Sequence, residues 1–250
     1  MEKREIGLVA GPCSAENRMQ MLETARGLRK TGVGTIRAGL WKPRSRFGTF
    51  EGVGEAGLAW LSEIRQELGM KTMTEVALPS HVEAVMKTGV DMVWIGARTT
   101  VNPFMMTELA QALRDCDMPV WVKNPVCPDV ELWIGAVERL QHAGIRDIRV
   151  IYRGFCAVDH QPYRNAPLWE CSERFRSYFP DLPFYCDPSH IAGKRELLSS
   201  VCKKALSLHV DGLFIESHCH PQTALSDSAQ QLTPDALAGL LDELNVSIKE

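Results

Sequence analysis

Thr35-Ile36-Arg37-Ala38-Gly39-Leu40-Trp41-Lys42-Pro43-Arg44-Ser45 is a short apolar strand followed at once by a loop that carries further cations. Three other apolar runs end in one cation each, namely Ile95–Arg98, Val120–Lys123 and Val150–Arg153. A cation at the end of a buried strand is costly unless something anionic compensates it. The recurrence therefore predicts a parallel sheet whose strand ends surround a binding site for a phosphorylated and carboxylated substrate.

Apolar runs of strand length alternate eight times with amphipathic segments of helical period. Their continuous hydrophobicity is typical of parallel strands that are buried on both faces. The predicted strands are Ile6–Ala10, Thr35–Gly39, Lys71–Val76, Met92–Gly96, Pro119–Lys123, Ile148–Tyr152, Pro183–Cys186 and Gly212–Glu216. The predicted helices are Met19–Lys30, Gly57–Leu68, Ser80–Lys87, Pro103–Arg114, Val130–His142, Leu168–Phe179, Lys194–Leu208 and Pro234–Leu244. Several of these helices are followed by a glycine that can adopt the left-handed conformation of a helix cap: Gly32, Gly69, Gly89 and Gly144.

The number and spacing of these units predict the fold class. Eight units in 250 residues give about 31 residues per unit, which is typical of a (β/α)₈ TIM barrel. An open, doubly wound sheet is the alternative, but it usually has fewer strands. We therefore expect one barrel domain over residues 1–250, with a short tail at Asn245–Glu250.

Composition and charge exclude several function classes. The net charge is −3 and the pI is about 6.2, which argues against a nucleic-acid or anionic membrane surface. No run of 18 apolar residues and no signal peptide is present, so we expect a cytoplasmic protein. The eight cysteines form no CxxC pair and are interpreted as reduced thiols.

Active sites of such barrels lie at the carboxyl ends of the strands, and polar residues gather there. They are, in chain order, Cys13, Arg37, Lys42, Arg44, Glu75, Arg98, Lys123, Arg153, Asp187, His190, Glu216, His218 and Asp227. A thiolate, an imidazole and two carboxylates from Cys13, His190, Glu216 and Asp227 would suit Mn, Fe, Zn or Co better than Mg or Ca.

Simpler interpretations of these residues also exist. A single cysteine, histidine or carboxylate is more often a core or surface residue than a ligand, and the cations could be ion-paired in the core. Four strand ends, however, would then need four buried carboxylate partners. The neighbouring pair Cys219–His220 could bind a metal adventitiously, but His218 and His220 are interpreted as loop or supporting residues.

Five motifs together resemble those of 3-deoxy-D-arabino-heptulosonate 7-phosphate (DAHP) synthase, in the compact form related to 3-deoxy-D-manno-octulosonate 8-phosphate synthase. The resemblance runs from Gly11 to about Leu232 in the expected order. The motifs are Gly11-Pro12-Cys13-Ser14-Ala15-Glu16, Lys42-Pro43-Arg44-Ser45, Ile95-Gly96-Ala97-Arg98, Asp187-Pro188-Ser189-His190 and Ala224-Leu225-Ser226-Asp227. The runs Arg98–Phe104 and Val122–Pro125 are most similar to a subgroup often fused to chorismate mutase. We nevertheless expect residues 1–250 to be the catalytic barrel domain, with no regulatory or chorismate mutase domain.

The resemblance implies a role for each matching residue. Cys13, His190, Glu216 and Asp227 would bind a divalent metal ion. Phosphoenolpyruvate would be held by Arg98, Lys123 and Arg153, with help from Arg37 and Lys42. The aldehyde substrate erythrose 4-phosphate would be held by Arg44 and Ser45, with Lys42 shared. Lys123, Glu75 and Cys13 are the candidate catalytic residues.

The implied reaction is the first step of the shikimate pathway. C3 of phosphoenolpyruvate attacks the aldehyde carbon, water adds at C2, and the adduct collapses to DAHP and phosphate. The chain departs from the best-known members at Ser45, where threonine is usual, at Ala38, where glycine is usual, and at Asn124-Pro125, where Arg-Gly is usual. None of these departures removes a charged contact.

Three other functions compete with this one. The first is octulosonate 8-phosphate synthase acting on arabinose 5-phosphate, although that family typically has Lys-Ala-Asn-Arg-Ser where this chain has Lys42-Pro43-Arg44-Ser45. The second is a metal-dependent hydrolase on the same fold, and the third is a non-catalytic barrel. The resemblance also implies a homo-oligomer, either a dimer or a tetramer, and a chorismate mutase domain or chain as a possible partner.

Overall fold

A computed structural model describes residues 3–44, 46–114, 116–156, 158 and 161–249, and it confirms the predicted (β/α)₈ barrel as a single domain. Eight parallel strands close on one another, because β1 pairs with both β2 and β8. The barrel strands are β1 (Arg4–Gly11), β2 (Thr35–Arg37), β3 (Lys71–Val76), β4 (Met92–Ile95), β5 (Val120–Lys123), β6 (Ile148–Tyr152), β7 (Phe184–Cys186) and β8 (Gly212–Glu216). All eight predicted strands are therefore confirmed, with small differences at their ends.

Helices surround the barrel on its outer face. They are α1 (Arg18–Lys30), α2 (Ala56–Leu68), α3 (Pro79–Thr88), α4 (Ala97–Thr100), α5 (Pro103–Ala112), α6 (Val130–His142), α7 (Trp169–Tyr178), α8 (Pro188–Ala192), α9 (Leu198–Ser207) and α10 (Pro234–Glu243). The eight predicted helices are confirmed, although Arg195–Leu197 is a 3₁₀ turn before α9. The short helices α4 and α8 were not predicted, because four or five residues carry too little periodicity. The four predicted cap glycines all have positive φ, between 62° and 89°.

The prediction of a tail at Asn245–Glu250 is wrong for its described part. Val246–Ile248 forms a ninth strand, β9, which pairs in parallel with the first residues of β1. Arg4 and Val246 are register partners, and Lys249 N–H donates to the Ile6 carbonyl at 2.8 Å. β1 extends beyond its barrel neighbours at this end, so its backbone groups need a partner there. A three-residue strand whose partner lies at the other end of the chain leaves no periodic signal in sequence.

Two apolar cores hold the barrel together. The larger one lies between the strands and the helices, and a smaller one fills the inside of the barrel. The inner core consists of Val9, Met73, Met92, Trp94, Trp121, Ile151, Tyr185 and Phe214. Tyr185 fits inside because Gly7 and Gly212 face it: a Cβ on either would lie 2.0 Å or 2.2 Å from the tyrosine ring or hydroxyl.

Within the described residues, none of the helices combines the length and the apolar character needed to cross a membrane.

Candidate functional site

A layer of ionisable side chains lies above the inner core, at the carboxyl ends of the strands. Successive side chains of a strand point to opposite faces, so the residue two places after an inner-core residue also points inward. Glu75, Lys123, Arg153, Asp187 and Glu216 each stand two places after a member of that core. The alternation of side chains along five strands therefore places cations and carboxylates together at one end of the barrel.

A cavity of about 380 Å³ opens at this end. Predicted site residues that line it are Lys42, Arg44, Glu75, Arg98, Lys123, Arg153, His190 and Asp227. Three others, Cys13, Arg37 and Glu216, are buried outside the lining, at 0–1% exposure. Ser45 lies outside the described residues. The structure thus brings the predicted residues together at one mouth, in two layers.

The four predicted metal ligands come together on one side of the cavity. Cys13 Sγ lies 3.3 Å from Asp227 Oδ2. His190 Nε2 lies 3.7 Å from Glu216 Oε1 and 3.8 Å from Asp227 Oδ2. Ligand atoms of Cys13, Glu216 and Asp227 all fall within 4.8 Å of one another. We call these four residues the ligand side of the cavity.

The spacing and chemistry of the ligand side fit a divalent transition metal. Two atoms that each lie about 2.0–2.3 Å from one tetrahedral metal ion are about 3.3–3.8 Å from each other. The distances from Cys13 to Asp227 and from His190 to Glu216 and Asp227 fall in this range. Burial, with help from Glu216, raises the pKa of Cys13 to about 12 although Lys42 and Arg37 lie nearby, so a metal that binds this sulfur would have to displace its proton. Burial also lowers the pKa of His190, which favours the neutral imidazole that binds metals.

Three residues that sequence reasoning missed hold the ligand side in place. Gln230 Nε2 donates to Glu216 Oε2 at 2.7 Å and to Asp227 Oδ2 at 3.4 Å. Arg164 pairs with Asp227 Oδ1 at 3.0 Å and donates to Gln230 Oε1 at 2.7 Å. Gln231 Oε1 accepts from the Cys13 N–H at 3.0 Å. Two adjacent glutamines shortly after a candidate ligand are only a weak sequence signal, but both are fully buried here.

The opposite side of the cavity is lined by cations, chiefly Arg98, Lys123 and Arg153; we call it the cation side. Burial lowers the pKa of Arg153 to about 10, so it remains charged at neutral pH. The Arg153 guanidinium donates to Asn165 Oδ1 at 2.8 Å, and its backbone N–H donates to Asn124 Oδ1 at 2.7 Å. These neutral partners orient Arg153 without cancelling its charge.

Arg37 occupies a different place from the other predicted phosphoenolpyruvate contacts. Its guanidinium lies inside the barrel, 3.3 Å from Glu216 Oε1 and 3.0 Å from the Cys13 carbonyl oxygen. It also lies over the rings of Trp94 and Phe214, at 4.6 and 4.9 Å from their centroids. The alternative of a buried ion pair therefore applies to Arg37, whose charge balances a candidate metal ligand, and it also applies to Lys123, which pairs with the buried Asp187.

Asp187 connects the two sides. Its Oδ2 lies 2.7 Å from Lys123 Nζ and 2.8 Å from His190 Nδ1, and its Oδ1 accepts from the His190 N–H at 3.0 Å. Burial alone would raise the pKa of Asp187, but His190 and Lys123 outweigh it and hold that pKa well below its usual value. Burial lowers the pKa of Lys123 despite this partner. Asp187 therefore orients one ligand and one cation with a single carboxylate.

The remaining cavity wall comes from β3 and from the loop after β2. Gly96 gives the Glu75 carboxylate its room, since a Cβ at Gly96 would lie 2.0 Å from Glu75 Oε1. Lys42 Nζ lies 3.0 Å from the Cys13 carbonyl oxygen and 3.3 Å from Cys13 Sγ. Arg44 Nε donates to the Phe50 carbonyl at 2.7 Å, which fixes the loop that carries Pro43 and Arg44 into the cavity.

Comparison with known proteins identifies one family. The DAHP synthetase I family matches residues 2–250. The chain is 30% identical over 237 residues to phospho-2-dehydro-3-deoxyheptonate aldolase of Thermotoga maritima, an alignment that covers 95% of this chain and 68% of that protein. It is also 28% identical over 268 residues to 2-dehydro-3-deoxyphosphooctonate aldolase of Nitratidesulfovibrio vulgaris, covering 95% and 90% of the two chains.

The solved structures agree with the sequence matches. The crystal structure of the Thermotoga maritima DAHP synthase superposes with a TM-score of 0.84 at 29% identity, over 98% of this chain and 71% of that one. A truncated form of the same enzyme gives a TM-score of 0.81 at 27% identity, over 98% and 90% of the two chains.

Proposed function

The chain belongs to the DAHP synthetase I family, and on that premise we propose that it condenses phosphoenolpyruvate with D-erythrose 4-phosphate and water, giving DAHP and phosphate, with the help of a divalent metal. Membership makes it an enzyme of the 3-deoxy-7-phosphoheptulonate synthase type, which forms a carbon–carbon bond between phosphoenolpyruvate and a sugar phosphate. The identity of the aldose phosphate and the dependence on metal are the parts that we propose.

One observation carries the proposal: a single cavity has a wall of cations opposite a cluster of soft and hard metal ligands. Two phosphorylated substrates repel each other, so bringing them together requires several fixed positive charges. Arg98, Lys123 and Arg153 would hold phosphoenolpyruvate. Lys42 lies between the two sides, close to Cys13, and would contact both substrates.

The residues of the chain would divide the chemistry between them. When held by Cys13, His190, Glu216 and Asp227, the metal supplies Lewis acidity toward the aldehyde oxygen of the sugar phosphate. C3 of phosphoenolpyruvate then forms a bond to the aldehyde carbon, and a water molecule adds at C2. Loss of phosphate from C2 leaves the ketone of DAHP.

Proton transfer would fall to Lys123 and Glu75. Both line the cavity, and burial lowers the pKa of Lys123, which makes its ammonium group a readier proton donor. Cys13 acts as a ligand, and binding displaces its proton, so metal affinity should rise with pH. The donor set is compatible with Mn, Fe, Co or Zn.

Octulosonate 8-phosphate synthase is the second candidate, because 2-dehydro-3-deoxyphosphooctonate aldolases are also similar along nearly the whole chain. Pro43 and Arg44 line the cavity where that family typically carries a longer Lys-Ala-Asn-Arg-Ser run. Together with Ser45, they favour the shorter, four-carbon aldose phosphate.

The assay should use purified, chelator-treated protein with phosphoenolpyruvate and each aldose phosphate in turn, with metals added back singly. Phosphate release and the 3-deoxy sugar acid product are both measured. We expect no activity without metal and a much higher kcat/KM for erythrose 4-phosphate than for arabinose 5-phosphate. Full activity in metal-free protein would refute the metal role, whereas preference for the five-carbon sugar would favour the second candidate.

The proposed assembly follows from the resemblance. We expect a dimer or tetramer of this chain, and a chorismate mutase domain or chain as a possible further partner. Light scattering on the purified protein tests the first, and co-purification with the mutase tests the second.

A further inference from the structure

A second group of metal-ligating side chains lies on the surface, outside the cavity. Glu23, Cys219 and His220 place a carboxylate oxygen, a thiol sulfur and an imidazole nitrogen within 4.8 Å of one another. His220 Nε2 and Glu23 Oε1 are 3.1 Å apart. Glu23 belongs to α1, whereas Cys219 and His220 follow β8, so the group joins two elements that meet only in the folded chain.

From this group we infer a peripheral zinc site that joins α1 to the segment after β8. One thiolate, one imidazole and one carboxylate are ligands that zinc combines in proteins, and magnesium and calcium are poorly served by the thiolate. Three protein ligands leave a fourth position of the tetrahedron to water or to an anion. A groove of about 730 Å³ borders Glu23 and Cys219 and provides the room for that fourth ligand.

The backbone that carries the ligands is already held in position. The Cys219 N–H donates to Thr24 Oγ1 at 3.1 Å, and the Thr24 hydroxyl donates to the Gln20 carbonyl one turn earlier in α1. The His220 N–H donates to Nδ1 of the buried His218 at 2.8 Å. These bonds fix Cys219 and His220 against the same helix turn that presents Glu23.

Only side-chain rotation separates the observed arrangement from a coordinated one. Zinc bonds of about 2.0–2.3 Å require ligand atoms about 3.3–3.8 Å apart. The side chains of Glu23 and His220 are 50% and 65% exposed, so they can rotate without displacing any packed neighbour. Cys219 is half-buried and supplies the fixed point of the site.

The site is tested by counting zinc ions on the purified full-length chain. Wild-type protein, loaded with zinc and freed of excess by gel filtration, should retain one more equivalent than the Cys219→Ser and His220→Ala variants. Cys171→Ser is the matched control, because Cys171 is also half-buried but belongs to no three-ligand group among the described residues. An unchanged count in both Cys219→Ser and His220→Ala would overturn the inference.

Cobalt supplies a second readout that is independent of catalytic activity. In a Cys13→Ser background, Co²⁺ bound by Cys219 should give a thiolate charge-transfer band in the near ultraviolet, and adding Cys219→Ser should abolish it. In the same background, zinc at about 100 times its Kd should raise Tm by about 5–10 °C. The shift should be smaller by that amount in His220→Ala, because His190, Glu216 and Asp227 are the same in both proteins, and the exposed position of His220 makes misfolding a poor explanation. Absence of both the band and this difference in the shift would show that the group binds no metal.

Discussion

The cation side and the ligand side of the cavity differ in the groups that hold their buried charges. On the cation side, Arg153 is held by amide oxygens, which leave its positive charge available to an anion. On the ligand side, Glu216 and Asp227 lie close together and are held by Gln230, Arg37 and Arg164. A neutral amide and two cations hold these two carboxylates close together, as the proposed metal site would require.

The difference shows that burial of a charge does not by itself reveal its role. Arg37 and Arg153 both follow the pattern of a strand ending in a cation, and both are buried. Arg37 is paired with Glu216 and contacts aromatic rings, whereas Arg153 lines the cavity. The partner of the charge decides whether it supports the fold of the site or stays available to the proposed substrate.

Loss of the Asp187 carboxylate, which connects the two sides of the cavity, should give the largest change among these variants. We expect Asp187→Asn to lower the free energy of unfolding by about 3 kcal/mol, because Lys123 then remains buried without its carboxylate. The folded-state pKa of Asp187 lies well below its usual value. This stabilisation is therefore complete above the unfolded-state pKa of about 3.9 and is lost progressively as pH falls from there through the folded-state pKa. Urea unfolding between neutral pH and the acid range measures the loss.

The surface pair of Lys3 and Asp242 provides the control for this experiment. Asp242→Asn should change the free energy of unfolding by less than about 1 kcal/mol, because that pair is solvent-exposed. Equal stabilities of the wild-type protein and Asp187→Asn at neutral pH would show that Asp187 does not stabilise the two sides.

A substitution on the cation side alone should lower kcat/KM for phosphoenolpyruvate and leave metal affinity unchanged. Arg153→Met is expected to lower kcat/KM for phosphoenolpyruvate about 10²-fold, the size expected when one buried charged contact is lost. Metal affinity, measured by competition with a chromogenic chelator, should not change. Arg149→Met is the matched control, since Arg149 lies on the same strand but at the opposite end of the barrel. A loss of metal affinity in Arg153→Met would contradict the separation of the two sides.

A substitution on the ligand side should lower metal affinity and leave the binding of phosphoenolpyruvate unchanged, and this effect should be smaller. Gln230→Leu removes the amide that donates to both carboxylates, and we expect metal affinity to fall about 10-fold or more. KM for phosphoenolpyruvate at saturating metal should stay the same. The exposed Gln111→Leu serves as the control. If Gln230→Leu binds metal as tightly as the wild-type protein, this glutamine does not position the ligands.

Much of the fold was predictable because its signals are local. Each buried parallel strand requires its own continuous apolar run, and each helix requires its own periodic one, so both patterns can be recognised without knowing their neighbours. The repeated pattern of strand ends with cations was also local, and it placed Lys123 and Arg153 at the mouth of the barrel. β9 escaped prediction because three residues acquire strand geometry only through their pairing with β1.

The sequence by itself determined the barrel, the end at which its ionisable residues gather and the kinds of candidate ligand and cation found there, because these depend on residue type and on alternation along single strands. Only the tertiary structure decided that Arg37 supports Glu216 from within the barrel, that Arg164 and Gln230 hold the ligand side, and that Glu23 meets Cys219 and His220. These contacts join residues from distant parts of the chain. Their distances are set by how strands and helices pack around a closed barrel, which no local pattern encodes.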